Sequence, residues 1–178
     1  TDGKTGNSGD ISLRTGSLVL TETDLSSPAA SSINSASFGF GRSANITMSV
    51  QEASLSGGST ISSRAEAEGP AASNGKITLH GLNGDESMAG SITLAGLGTG
   101  IKTGTLGTGR LGDIDLRAKT VTLTDGAVIE VGTQFDNGTP GNITITANSI
   151  DISGESSIAS RTFAKDAGQV HISAGQFT

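Results

Sequence analysis

The chain has no cysteine, no tryptophan and no tyrosine, and only five phenylalanines among its 178 residues. Without cysteine there is no disulfide scaffold and no thiolate zinc site. Without large aromatics, the side chains that supply much of an ordinary globular core are missing, so Ile, Leu and Val must fill any interior. Positive charge is also scarce, with 11 basic against 17 acidic residues and a formal net charge of −6. Nucleic acid recruits basic faces and anionic lipid recruits polybasic segments, so neither partner is expected. No apolar run approaches the ~20 residues that span a bilayer as a helix, and membrane insertion is not expected.

Glycine is abundant, at 27 residues, alongside many Ser, Thr and Asn. Such a composition without a pattern would describe a disordered chain. Here a phrase recurs: an apolar residue, any residue, an apolar residue, usually led by Gly and a polar residue. It stands at Ile11/Leu13, Ile46/Met48, Ile77/Leu79, Ile114/Leu116, Ile143/Ile145 and Val170/Ile172, with steps of 35, 31, 37, 29 and 27 residues. Periods of this size belong to solenoids. A second apolar pair follows at Leu18/Leu20, Ala53/Leu55, Ile92/Leu94, Val121/Leu123 and Ile150/Ile152, starting five residues after the first pair ends in four of five repeats. Phe177 lies five residues after Ile172 and fits as the start of a sixth second pair. A third apolar position is Ile33, Ile61, Ile101, Ile129 and Ile158; Leu25 is an alternative to Ile33 that leaves a worse spacing to the next repeat.

Alternation of apolar and polar residues is the period of a strand with one buried face. Gly and polar corners separate the segments, and helix formers at helical spacing are few. The reading is an all-β, parallel β-solenoid with three short strands per coil and about five and a half coils. Stacked coils pair strands in parallel and place like residues in columns. Two places break the period, residues 22–30 and residues 81–90, and both read as inserted loops where any specific contact is expected first. The small residues flanking the third position, among them Ser59, Ser63, Thr99 and Thr103, either stack hydroxyls inward or sit at a tight corner. Residues 1–178 form one solenoid segment. Thr1–Gly9 reads as the closing loop of a preceding coil, and no cap is visible at either end. Such ends are open strand edges, so the segment is expected to continue in a longer chain or to stack end to end with other subunits.

The stretches GDISLRTGSLVLTETDLSS from Gly9, GDIDLRAKTVTLTDGAVIEVGT from Gly112 and GNITITANSIDISGESSIASRTF from Gly141 resemble the repeats of filamentous-haemagglutinin-like exoproteins. The resemblance covers essentially the whole chain. It implies a right-handed coil, export by two-partner secretion from a Gram-negative bacterium, an extracellular or cell-surface location, and a structural or adhesive role as a fibre shaft, with surface or matrix glycans as partners. The Asn-Pro dipeptide of the family's secretion domain does not occur here.

Candidate chemistry is sparse, and no catalytic residue, cofactor or metal site is expected. His80 and His171 fall outward in phase and on different columns, which reads as surface histidine. Glycan-cleaving β-helices need clustered carboxylates. Asp113 and Asp115 come nearest, but Asp115 stacks between Thr78 and Thr144 and reads as a solvated face. Arg14 and Arg117 share a column with Ser49 and His80 between them. The acidic loops Asp85/Glu86, Asp125 and Asp136/Asn137 match no calcium-binding repeat or EF-hand spacing. A flat threonine array fails because Asp115 and His171 interrupt Ser12, Thr47, Thr78 and Thr144. Asn45, Asn137 and Asn142 begin Asn-x-Ser/Thr sequons, and Asn142 has a structural use at the start of a strand. A carbohydrate-binding or carbohydrate-degrading β-helix is the second reading, and a self-assembling filament subunit the third. The lack of Trp and Tyr for stacking on sugars weighs against the second.

Overall fold

The computed structural model describes residues 6–22, 30–38, 41–65, 74–105, 109–133, 138–139, 141–162 and 166–178. Among the described residues there are twelve strands and no helix: β1 (Ile11–Leu20), β2 (Ser32–Ser37), β3 (Ile46–Ser56), β4 (Thr60–Ala65), β5 (Ile77–His80), β6 (Ala89–Ala95), β7 (Gly100–Thr105), β8 (Ile114–Thr124), β9 (Val128–Thr133), β10 (Ile143–Ile152), β11 (Ser157–Arg161) and β12 (Val170–Phe177). Every pairing between them is parallel. Sheet A runs β1-β3-β5-β8-β10-β12, with β6 beside β3 and β8; sheet B runs β2-β4-β7-β9-β11. The chain visits the two sheets alternately and advances by one neighbour each time, an all-β parallel architecture compatible with a β-solenoid.

The register follows the apolar columns. Ile11, Ile46, Ile77, Ile114, Ile143 and Val170 are successive partners. Ile33 pairs with Ile61, while the alternative Leu25 lies outside the described residues. Phe177 pairs with Ile150. A one-residue slip would turn the buried members of these columns, Ile46, Ile77, Ile114 and Ile143 among them, to water.

Where the sequence predicts separate first and second strands, the structure runs one strand through both, as in β3, β8 and β10. In β8, Ala118 is buried, Lys119 and Thr120 are both exposed, and Val121 is buried again. Lys119 is skipped in the ladder with β10. Alternation alone would place one of two successive residues inside, so this pair swings the buried face through a corner without ending the strand. The same double exposure recurs at Gln51–Glu52. In the third repeat Gly81–Met88 leaves the sheet altogether and divides the strand into β5 and β6. The eight surplus residues that the sequence places within 81–90 are these.

The bend into sheet B is a tight turn with a demanding backbone. After β3 it uses Gly57 and Gly58, after β8 Asp125 and Gly126, after β10 Gly154 and Glu155, all at positive φ. The Ser59, Ala127 and Ser156 amides close these turns onto the Ser56, Thr124 and Ser153 carbonyls. Positive φ at both central residues is the type I′ conformation. Asp tolerates it better than a longer side chain, for which it costs ~1–2 kcal/mol. Glu155, at φ 63°, is therefore strained. Glu155→Gly is expected to raise the melting temperature by about 1–4 °C in a thermal denaturation series; a fall would show that the Glu155 side chain contributes more than its backbone strain removes.

The core is a set of aliphatic columns. Ile46, Met48, Ile77, Leu79, Ile92, Leu94, Ile114, Leu116, Val121 and Leu123 are wholly buried, together with Ile61, Ile101 and Ile129 from sheet B. The small residues beside the third position point inward: Ser59, Ser63, Thr99 and Thr103 are all buried. They do not simply bond to one another up the stack. Several reach across the interior to the backbone that leads into sheet A. Ser63 Oγ donates to the Ala44 carbonyl at 3.2 Å and Thr103 Oγ1 to the Gly112 carbonyl at 2.9 Å, while Ser35 Oγ accepts the Ala44 amide at 2.8 Å. Buried Ser43 contacts Ser63 Oγ at 2.8 Å, and buried Asn74 donates to the Gly104 carbonyl at 2.6 Å. Backbone groups that would be orphaned in a dry interior are thereby satisfied.

Candidate functional site

Three places concentrate polar chemistry. The first is the corner leading into sheet A. Asp10 Oδ1 accepts the Asn45 amide at 2.9 Å, Asn45 Oδ1 the Lys76 amide at 3.0 Å, Asp113 Oδ1 the Asn142 amide at 2.7 Å, and Asn142 Oδ1 the Gln169 amide at 2.9 Å. Each side chain caps the backbone of the next repeat. Asp113 is thus a structural tie, and the sequons at Asn45 and Asn142 carry the same role; Asn137 lies outside the described residues.

The second place is the inserted loop. Gly81 donates to the Ser87 carbonyl and Ser87 to the Gly84 carbonyl, both at 2.9 Å, and Ser87 Oγ accepts the Asn83 amide at 3.1 Å. The loop folds back over β5, and this changes the expectation for His80. Its phase is outward, as predicted, but the side chain is buried rather than at the surface. His80 Nδ1 lies 2.8 Å from the Gly81 carbonyl, which makes it the protonated nitrogen. Nε2 is 3.4 Å from Asp85 Oδ1 without hydrogen-bond geometry. Glu86 pairs with Arg117. Asp115 does sit between Thr78 and Thr144, yet it is not a solvated lone acid: its carboxylate is 19% exposed, 2.9 Å from Lys76 Nζ and 3.7 Å from Arg117 Nε. A diagonal lysine and a neighbouring arginine shield it, which a column-by-column reading misses. His171 is exposed on β12, as expected.

Excising Gly81–Met88 would restore the five-residue spacing, because Leu79 and Ala89 already pair with Leu116 and Ala118 of the same strand. The shortened chain is expected to keep its circular dichroism spectrum and its stability to within about 1 kcal/mol, since loop length and one exposed ion pair contribute little. An aggregated or poorly structured product would show instead that the loop sets the register of sheet A.

The third place is a cavity of about 960 Å³ along the C-terminal ends of β4, β7, β9 and β11. Arg64, Gly104, Gly132 and Arg161 form one outward column across these strands. The two glycines leave a trough between the two arginines. Lys102 and Glu130, partners in the adjoining column, form one wall, with Arg161 Nη1 3.3 Å from Glu130 Oε1 and Lys102 Nζ 3.1 Å from the Gly98 carbonyl. Thr133 also lines the cavity; it is 3% exposed, and its hydroxyl has no hydrogen-bond partner. The sequence reading singled out none of these residues. The available signal was a column reading Arg, Gly, Gly, Arg at matched positions after the third apolar residue.

Among the described residues no group of three or more His, Asp or Glu is placed to hold a metal ion. Asp85 and Glu86 face His80 and Arg117, Asp125 occupies a turn, and Asp136/Asn137 lie outside the described residues. Comparison with protein families, with curated proteins and with solved structures finds no match.

Proposed function

We propose that this chain is a non-catalytic shaft segment of a secreted or cell-surface fibre of the filamentous-haemagglutinin-like kind, wound as a right-handed parallel β-helix with three faces per coil. The observation that carries this reading is the unbroken register of sheet A from Ile11 through Val170. A chain that repeats one pairing with aliphatic columns inside makes a stiff, extendable rod whose stability grows with every neighbour added. The corner within the long strands and the type I′ turns divide a coil such as 114–133 into three buried runs, which supports the three-faced section. The charged groups nearest to a catalytic arrangement, Asp113 and Asp115, are occupied in holding the coil together, which supports a structural role.

Antibodies raised against the purified chain are expected to label the outside of intact source cells or their medium, and small-angle scattering of the chain is expected to give a rod-like cross-section. Labelling only after lysis would overturn the location. Release of reducing ends from any member of a polysaccharide panel would overturn the non-catalytic role.

A further inference from the structure

We infer that Asn83 is a self-modification site, where the Gly84 backbone nitrogen attacks the Asn83 side chain and converts it to aspartate and isoaspartate. This goes beyond the shaft reading and stands or falls separately from it. The sequence holds three Asn-Gly dipeptides, beginning at Asn74, Asn83 and Asn137, of which Asn137 lies outside the described residues. Glycine is the neighbour that favours the reaction, because no Cβ crowds the attacking nitrogen. As that nitrogen bonds to Asn83 Cγ, the Cγ–Nδ2 bond breaks, and the proton the nitrogen gives up leaves with the amide group as ammonia. Water then opens the cyclic imide at either carbonyl. One opening gives aspartate; the other gives isoaspartate, whose chain runs on through the β-carboxyl. The only co-reactant is water.

The surroundings separate the two described sites. Asn83 and Gly84 are both exposed. The Asn83 main-chain amide donates to Ser87 Oγ, but neither the Asn83 side chain nor the Gly84 amide has a hydrogen-bond partner among the described residues. A Cβ added to Gly84 would meet nothing within 4 Å, so the side chain has room to swing onto the nitrogen. Asn74 is the reverse case. It is buried, its Nδ2 donates to the Gly104 carbonyl at 2.6 Å, and its Oδ1 accepts from Ser43 Oγ at 3.3 Å. The Gly75 amide that would attack is itself bonded to Ser43 Oγ at 3.2 Å. Asp125-Gly126, which would close the same imide by losing water, is held too, because the Gly126 amide donates to the Gly154 carbonyl at 2.6 Å. Asn83 therefore reacts from the folded state, whereas Asn74 reacts only through local opening. Conversion adds a third carboxylate beside Asp85 and Glu86, which already face His80 and Arg117. The extra backbone carbon of isoaspartate falls between β5 and β6, outside the ladder.

The test is to age the purified chain in mildly alkaline buffer, with and without concentrated urea, and to follow each asparagine by peptide mass mapping and by labelling with an isoaspartyl methyltransferase. In the folded chain the Asn83 peptide should gain the mass that exchanges an amide for a carboxyl at least tenfold faster than the Asn74 peptide, and it should carry the isoaspartyl label. In urea the two should react at similar rates, because the dipeptide is the same and the protection is lost. Asn83→Gln, a change at an exposed position, should leave the melting temperature unaltered and remove the label from the loop peptide, since the longer side chain closes its ring far more slowly. Equal rates at Asn83 and Asn74 in the folded chain would overturn the inference. So would an Asn83 that stays intact in the folded chain over a time in which Asn74 reacts in urea. A label that persists in the loop peptide of Asn83→Gln would overturn the assignment to Asn83.

Discussion

Gly112→Ala is expected to destabilise the chain by about 3 kcal/mol or more, the upper range for overpacking, and to lower the melting temperature by roughly 6–12 °C for a domain of this size. A Cβ on Gly112 would collide with the Gly75 carbonyl, and one on Gly141 with the Gly112 carbonyl. These glycines stack at the corner before sheet A, where backbone lies on backbone, so no side chain can rotate aside to make room. The Gly112 carbonyl also accepts the buried Thr103 hydroxyl, and any shift that relieved the collision would pull on that bond. The control is the same change elsewhere. Gly104→Ala meets only ordinary van der Waals contact and should be neutral or slightly stabilising, because alanine restricts the unfolded chain. Equal melting temperatures for the two variants would show that the corner backbone can move apart freely.

Leu116→Ala should cost about 3–5 kcal/mol, the range for a wholly buried leucine whose surroundings collapse only in part. Leu116 is wholly buried and is flanked in its column by Leu79 and Ile145. Thr122→Ala, on the opposite face of the same strand, should change stability by no more than about 0.5 kcal/mol. Because a repeat touches only its neighbours, the loss should be local first. Amide exchange is expected to accelerate in β5, β8 and β10 before β1 or β12 responds. Uniform acceleration along the chain would mean that the stack unfolds as one unit.

The columns were legible because a strand has a period of two and the parallel ladders repeat it, so Ile33 could be preferred to Leu25 on spacing alone. The same logic placed Phe177 opposite Ile150. It failed at His80, where phase says which side of a sheet a residue occupies but not what lies over that side. The loop that covers His80 is a tertiary event without a period. The corner glycines showed in the sequence as a recurrent Gly before a polar residue, and the tie made by the polar residue was foreseen only for Asn142. The trough escaped notice because it depends on two absent side chains, Gly104 and Gly132, lining up between arginines whose repeats lie far apart in the chain. Ser43 and Asn74 lie outside the strands, and no period marks them; they are buried because they bond to interior hydroxyl and carbonyl groups.

The direction of the ladder has a mechanical consequence. Hydrogen bonds between successive repeats run along the stacking direction, so tension applied along it strains them one row at a time, as in opening a zip, rather than shearing a whole sheet at once. One repeat, such as the 29 residues from Ile114 to Asn142, occupies ~4.8 Å of that direction when folded and reaches about 100 Å when drawn out. A fibre built this way would yield in steps near twentyfold in length per repeat, and rewind when the load falls, which makes it a damper as much as a strut.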